Sequence, residues 1–234
     1  MSRTRYGCVA IVPAGGAGSR FGADRPKQYL SLGRITVLGA TLKALLTAPE
    51  IEHVYVNVQA GDPYAQEVVD ALAPHEAARV SLLRTAGPTR AATVLAALEC
   101  IAHEVRLDAW VLVHDAARPC LSAAALARLL AVRAEVDTGA LLALPVADTV
   151  KRADGCGHVA ETVPRDALWR AQTPQMFRYG VLCDALAACP DATDEAQAVE
   201  ALGLAPKLVL GEARNQKVTH PEDLPLARFF MEKA

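Results

Sequence analysis

Two hydrophobic patterns alternate along this chain. Short, nearly unbroken apolar runs occupy residues 8–12, 53–58, 80–83, 110–114, 139–144 and 207–210, each of strand length and bounded by glycine, proline or charged residues. Between them, residues 37–46, 64–72, 91–103 and 122–134 carry apolar positions at helical spacing, and Ser122 stands where an N-cap belongs. Apolar strands alternating with amphipathic helices predict an α/β fold, a mainly parallel twisted sheet with helices on both faces.

One stretch departs from the alternation. Residues 148–152 and 158–163 read as two short strands about a turn holding Gly155 and Gly157, a hairpin inserted into a wound sheet. Few of its residues are large and apolar, so it is expected to stand off the core as a β-arm over about residues 146–168. Two readings fit: a solvated excursion, or an arm that packs on a second subunit.

Composition narrows the choice of function. With 234 residues, 52% of them hydrophobic, the chain can build a substantial core, which excludes disorder as its main state. No repeat, low-complexity tract or linker divides it, so residues 1–234 are expected to form a single domain. The 24 Lys and Arg against 26 Asp and Glu leave a net charge of -2, with no general basic surface for nucleic acid. The six cysteines contain no C-x-x-C pair and read as buried small hydrophobes rather than zinc ligands or a disulfide framework. The apolar run after Arg5 is shorter than the ~7–15 residues of a signal-peptide core, and no run reaches the ~20 needed to span a bilayer. A cytoplasmic protein with no membrane partner is the expectation.

The chemistry starts where the first strand ends, at Pro13-Ala14-Gly15-Gly16-Ala17-Gly18-Ser19-Arg20-Phe21-Gly22. Glycines this dense after a strand let backbone N–H groups approach and cradle a phosphate chain. A Walker loop is excluded, because G-x-x-x-x-G-K-[ST] is absent. A dinucleotide fingerprint is excluded too: Phe21 stands at its third glycine, and no acidic residue ends a second strand about twenty residues on. Arg20, and Lys27 in Pro26-Lys27-Gln28-Tyr29, follow the turn and are placed to grip a polyphosphate, the first as a planar fork and the second as a point charge.

These motifs resemble the signature of the sugar-phosphate nucleotidyltransferases, and in particular the methylerythritol phosphate cytidylyltransferase family. The likeness continues through Val113-His114-Asp115-Ala116-Ala117-Arg118-Pro119, Pro145-Val146-Ala147-Asp148-Thr149-Val150-Lys151 and Val163-Pro164-Arg165-Asp166. It extends to Leu168-Trp169-Arg170-Ala171-Gln172-Thr173-Pro174-Gln175, Thr193-Asp194-Glu195-Ala196 and Lys217-Val218-Thr219, covering roughly residues 7 to 231 in order. The resemblance implies a Rossmann-like core, a homodimer through the projecting β-arm, and transfer of CMP from CTP to methylerythritol phosphate with release of pyrophosphate. It also implies that Arg20, Lys27 and Lys217 are catalytic. Ala14, Gly15, Gly16, Gly18, Gly87, Arg90, Thr93 and Asp115 would bind CTP. Asp115, Arg118, Thr149, Arg165, Thr173, Thr193 and Lys217 would bind the acceptor, with the arm residues reaching a neighbouring subunit. Thr93 keeps the hydroxyl of the serine common at that position.

The residues themselves leave readings open. Asp115 ends a strand, where open α/β sheets bind ligands, so it is placed to orient a sugar hydroxyl; an ion-paired couple with His114 is the other account. Arg118-Pro119 also fits a helix start, and Thr193-Asp194-Glu195 fits an N-cap with first-turn carboxylates. The remaining histidines show no triad or metal-ligand spacing, and no protein metal ligand is expected.

The absence of an evident general base is itself informative. A phosphate monoester has a second pKa of about 6, so the acceptor is already largely dianionic at neutral pH. Catalysis then rests on positioning and charge stabilisation by fixed cations, with Mg²⁺ carried mainly on the CTP phosphates. A ribitol-5-phosphate cytidylyltransferase of the same fold is the nearest alternative. A non-catalytic nucleotide-binding regulator is the remote one, and would be expected to lack Lys27 or Lys217.

Overall fold

The computed structural model describes residues 5–16 and 25–232. The chain begins with strand β1 (Tyr6–Pro13), a 3₁₀ turn (Lys27–Tyr29), and the short strands β2 (Ser31–Leu32) and β3 (Ile35–Thr36). Helix α1 (Val37–Leu46), β4 (His53–Asn57), α2 (Ala65–Asp70), α3 (Pro74–Ala77), β5 (Val80–Leu83), α4 (Arg90–Ile101) and β6 (Val105–Val113) follow. The second half holds α5 (Ala123–Ala131), β7 (Gly139–Pro145), β8 (Val150–Ala153), β9 (Val159–Val163), β10 (Trp169–Arg178), α6 (Tyr179–Ala188), α7 (Glu195–Ala201), β11 (Lys207–Leu210) and α8 (Asp223–Glu232).

Seven strands form one sheet in the order β11-β7-β10-β6-β1-β4-β5. All run parallel except β10, which pairs antiparallel with both β6 and β7. Alternate residues of each strand feed opposite faces. Ala10, Val12, Val56 and Leu112 pack beneath α1, α2 and α5, while Val9, Ile11, Val111 and Val113 pack beneath α4, α6 and α7. The chain winds outward from β1 through β4 to β5, then crosses back over α4 to β6 on the other side of β1. The order therefore reverses between β1 and β6, and the loops leaving their carboxyl ends part to open a crevice there.

The α/β expectation is met, with several corrections of detail. Strand β6 begins at Val105 rather than at 110, and the helix expected over 122–134 is α5 followed by a 3₁₀ turn, Val132–Ala134. Ser122 does cap α5, its hydroxyl accepting the Ala125 N–H at 3.0 Å. Strand β10 has no counterpart in the hydrophobic pattern. Gln172, Thr173 and Gln175 are buried along it, and Pro174 argues against a central strand. The structure accommodates the proline in a register shift between Ala171 and Gln175, where no ladder hydrogen bond is required.

The hairpin is present: β8 and β9 pair antiparallel with each other as a separate two-stranded sheet, and their side chains are mostly exposed. Cys156 lies exposed in its turn, so the expectation that every cysteine is a buried hydrophobe fails there, while Cys8 and Cys120 meet it. Among the described residues, no helix is long and apolar enough to cross a membrane.

Candidate active site

A cavity of about 480 Å³ opens at the reversal of strand order, lined on one side by Ala14, Gly15 and Gly16 and on the other by Asp115, Ala116 and Ala117. Lys27, Gly87, Arg90, Thr93 and Lys217 complete much of its wall. The structure thus gathers at one place cations and glycines that lie up to two hundred positions apart in sequence. Gly18 and Arg20, both expected to meet the phosphates, lie outside the described residues.

The wall that follows β1 is set by close backbone contacts and neutral amides. A Cβ on Gly15 would come within 2.4 Å of the Ala86 Cβ, and one on Gly87 within 2.7 Å of the Ala92 Cβ, so both positions need glycine for lack of space. The buried Gln28 amide donates to the Ala14 carbonyl at 2.9 Å and to the Gly16 carbonyl at 3.2 Å. Gln59 donates to the Gly15 carbonyl at 3.1 Å. With their carbonyls turned to these side chains, successive residues of the turn are held in one conformation.

On the same wall, Thr89 caps α4 by accepting the Ala92 N–H. The Thr93 hydroxyl accepts the Gly87 N–H at 3.1 Å and donates to the Thr89 carbonyl at 2.8 Å. Its bonds therefore shape the loop that lines the cavity. Asn57, wholly buried at the end of β4, donates to the Thr93 carbonyl and accepts from the Thr85 N–H, fixing that loop to the sheet.

The other wall is a row of charges, buried at Glu195 and Asp115, half-buried at Arg90 and Arg118, and open to solvent at Lys217. The Arg90 guanidinium lies 3.1 Å from Asp115 Oδ1 and, on its other side, pairs with Glu195 Oε1. Asp115 Oδ2 lies 3.0 Å from Lys217 Nζ and 3.4 Å from Arg118 Nε. Burial alone would raise the Asp115 carboxyl, but the charges of Arg90, Lys217 and Arg118 outweigh it and hold the group well below the usual carboxylate range. Asp115 is therefore a fixed anion. Burial pushes the Glu195 carboxyl up, and the Arg90 guanidinium opposes that rise.

Backbone geometry delivers each member of the row. Asp115 follows the end of β6, and Thr173 lies within β10, whose reversed direction brings its amino-terminal half to the same edge. The Thr173 hydroxyl accepts the Asp115 N–H at 3.0 Å and bonds His114 Nδ1 at 2.9 Å, while His114 Nε2 faces the Arg118 carbonyl at 3.2 Å. A carbonyl only accepts, so His114 carries its proton on Nε2, and Nδ1 accepts from the threonine. Burial lowers the His114 pKa to about 4, in keeping with a neutral ring. No direct His114–Asp115 ion pair forms; the histidine instead braces the turn that holds Asp115 and Arg118.

Lys217 sits on the segment after β11. That segment is sewn down by the Asn215 amide donating to the Thr173 carbonyl at 2.8 Å and the Val218 N–H donating to the Ala117 carbonyl at 2.8 Å.

Several expected residues do not line the cavity. Thr149 and Arg165 are exposed at the base of the hairpin, and Thr193 is exposed before α7. Arg118 and Thr173 touch Asp115 from behind it. The cap of α7 is Asp194, which accepts the Gln197 N–H, whereas Thr193 donates its own N–H to the Gln197 side chain. Glu195 is not a solvated first-turn carboxylate but a wholly buried ion-pair partner. Gln28, Gln59, Asn57, His114, Asn215 and Glu195 were not singled out as functional from sequence. The available signals were a polar residue ending a buried strand (Asn57) and an amide beside the expected phosphate lysine (Gln28).

Comparison with known proteins places the geometry. The family model described as IspD, 2-C-methyl-D-erythritol 4-phosphate cytidylyltransferase, matches residues 8–233. The chain is 53% identical over 223 residues to the 2-C-methyl-D-erythritol 4-phosphate cytidylyltransferase of Azoarcus sp. (strain BH72), covering 95% of this chain and 93% of that one. A solved 4-diphosphocytidyl-2C-methyl-D-erythritol synthase superposes with a TM-score of 0.84 at 38% identity, over 97% of this chain and 100% of that one. The Francisella tularensis 2-C-methyl-D-erythritol 4-phosphate cytidylyltransferase superposes with a TM-score of 0.80 at 32% identity, over 95% and 99% of the two chains.

Proposed function

We propose the roles below for a chain that belongs to the 2-C-methyl-D-erythritol 4-phosphate cytidylyltransferase family and transfers CMP from CTP to 2-C-methyl-D-erythritol 4-phosphate, with release of pyrophosphate, in the non-mevalonate route to isoprenoids. The observation that carries the roles is the convergence of Lys27, Lys217 and the Gly15–Gly16 backbone on one cavity. That arrangement suits a triphosphate lying along the glycine turn and gripped by Lys27, with Arg20, outside the described residues, keeping the role that the sequence motif implies. Cytosine and ribose would then face the Gly87–Thr93 wall. Asp115, a permanent anion here, accepts from sugar hydroxyls.

An acceptor phosphate oxygen attacks the α-phosphorus of CTP. A new P–O bond forms as the bond to the bridging oxygen breaks, and pyrophosphate departs with that electron pair. The dianionic acceptor brings no proton that must be removed, so the protein's work is to bring two anions together and to stabilise the charge gathering on phosphoryl oxygens. Lys27 and Lys217 do this from fixed positions, Lys217 being aimed by its ion pair with Asp115.

Among the described residues, no group of three or more acidic, histidine or cysteine side chains is placed to hold a metal, and the cavity's carboxylate is already committed to three cations. The residues therefore fit Mg²⁺ that arrives coordinated by the triphosphate itself. When bound, the ion neutralises phosphate charge and polarises the phosphoryl oxygens.

The exposed hairpin, with Thr149 and Arg165 near its base and outside the cavity, supports a homodimer in which the arm completes the acceptor site of a second copy. We take residues 1–234 as one nucleotidyltransferase domain acting in the cytoplasm. Incubation with CTP, Mg²⁺ and either methylerythritol phosphate or ribitol phosphate, followed by phosphorus NMR, tests the substrate: a diphosphate-bridged product from the first acceptor and none from the second is expected. The reverse preference would overturn the assignment.

A further inference from the structure

Glu195 has no place in the roles above, yet it is among the most buried charged groups of the molecule. It opens α7, which the sheet anchors independently: the Gln175 side chain on β10 accepts the Ala196 N–H at 2.8 Å and donates to Asp194 at 2.9 Å. Its carboxylate reaches across to Arg90, the first residue of α4. Arg90 cannot deprotonate at any accessible pH and presents its remaining edge to Asp115: Nε donates to Oδ1 at 3.2 Å, and Nη2 lies in ion-pair contact with the same oxygen at 3.1 Å without a hydrogen bond of its own. The other Asp115 oxygen is left for Lys217 and Arg118.

Signs alternate along this line, so each member's position depends on its neighbours. Without Glu195, Arg90 would have Asp115 as its sole anionic partner of the row. The guanidinium would be free to swing about that contact and to pull the carboxylate away from Lys217. Burial makes the coupling strong, because a charge stripped of one partner in a low-dielectric site must find another.

Resting on the cytidylyltransferase reading, we propose that Glu195 is a positioning residue for CMP transfer. It acts through Arg90 to fix Asp115 and thereby the Lys217 ammonium, and it ties the helix behind the nucleotide-side loop (α4) to the helix that follows Thr193 on the acceptor side (α7). Glu195 lies outside the cavity lining, behind Arg90. Its effect is on geometry between the two halves of the site.

Glu195→Gln tests this, because it keeps size and leaves the Asp194 cap and the Gln175 bonds in place. The expected result is a fall in kcat of about tenfold with the KM for CTP changed less than threefold, recovered in part by Glu195→Asp. In a cycle with Lys217→Ala, the double variant should be scarcely slower than Lys217→Ala alone, because the glutamate acts by aiming that lysine. Thermal unfolding and the fraction of active sites are measured alongside. Loss of active protein with unchanged turnover per site would assign Glu195 a purely structural role and overturn the proposal. So would effects of the two substitutions that multiply independently. Wild-type transfer is measured first: its absence would overturn the cytidylyltransferase reading and the proposal together, whereas normal transfer in both wild type and Glu195→Gln would overturn the proposal alone.

Discussion

The two walls of the cavity are built from different materials. The wall we assign to the nucleotide is made of backbone, glycines and neutral amides: Gly15 and Gly87 pressed against alanines, with Gln28, Gln59 and Thr93 holding carbonyls and N–H groups in place. The wall we assign to the acceptor is made of ion pairs, under cover at Glu195 and Asp115 and reaching solvent at Lys217, with Arg90 and Arg118 between them, braced by Thr173 and a neutral histidine. A neutral wall holds its shape whatever the pH and fails through steric change. A charged wall tolerates small volume changes but depends on each protonation state and each partner. Substitutions and pH should therefore separate the two.

The largest effect is expected where the walls meet, at Lys27. In the proposed roles Lys27→Ala removes a charge-stabilising contact to the triphosphate, and it should lower kcat by a hundredfold or more, roughly 3 kcal/mol, with a smaller change in KM. Steady-state kinetics showing normal turnover would remove Lys27 from the chemistry.

On the charged side, pH is the probe. His114 is held neutral, with a pKa lowered by burial to about 4 from an ordinary 6.5. Between those values the unfolded chain binds the proton that the folded chain refuses, so stability is lost as pH falls through this window. Replacing the ring removes that dependence. The stability gap between wild type and His114→Asn should narrow by about 3 kcal/mol between pH 7 and pH 4. Denaturant titrations at the two pH values check this, and a constant gap would mean that His114 is not held neutral.

The neutral wall should yield to sterics instead. Gly15→Ala drives a methyl group into Ala86 and should displace the turn at a cost of about 2 kcal/mol. The expected signs are a lowered melting temperature and a CTP KM raised at least tenfold, with the pH profile unchanged. The mildest change is Thr93→Ala, which loses the hydroxyl that fixes the Gly87 N–H. It should cost about 1 kcal/mol, roughly fivefold in CTP affinity by calorimetry, and leave kcat within twofold.

The same division decided what could be read from sequence. The strands that carry the switch point are buried on both faces, so their apolar runs announce them, and the glycine turn after β1 is visible because its spacing has few structural meanings. Strand β10 stayed hidden because its work is polar: Gln172, Thr173 and Gln175 are buried to hold the loops around the site, and Pro174 occupies a register shift that no periodicity records. Glu195 was misplaced for a similar reason. A glutamate opening a helix has a sufficient local explanation, and its partner Arg90 lies over a hundred residues earlier in the chain. Local pattern reports what each segment does for itself. The charged wall is assembled from β6, α4, α7 and the segment after β11, and becomes legible only when the sheet order brings those ends together.

The central claim is that fixed cations allow an already ionised phosphate to attack without a protein base. The most direct test is the pH dependence of kcat/KM for the acceptor, measured with methylerythritol phosphate and with its thiophosphate counterpart, which ionises at lower pH. The account predicts one acid limb near pH ~6 that follows the acceptor's own second ionisation and moves down with the thiophosphate. A limb that stays at the same pH for both acceptors would place the titrating group on the protein and contradict the account.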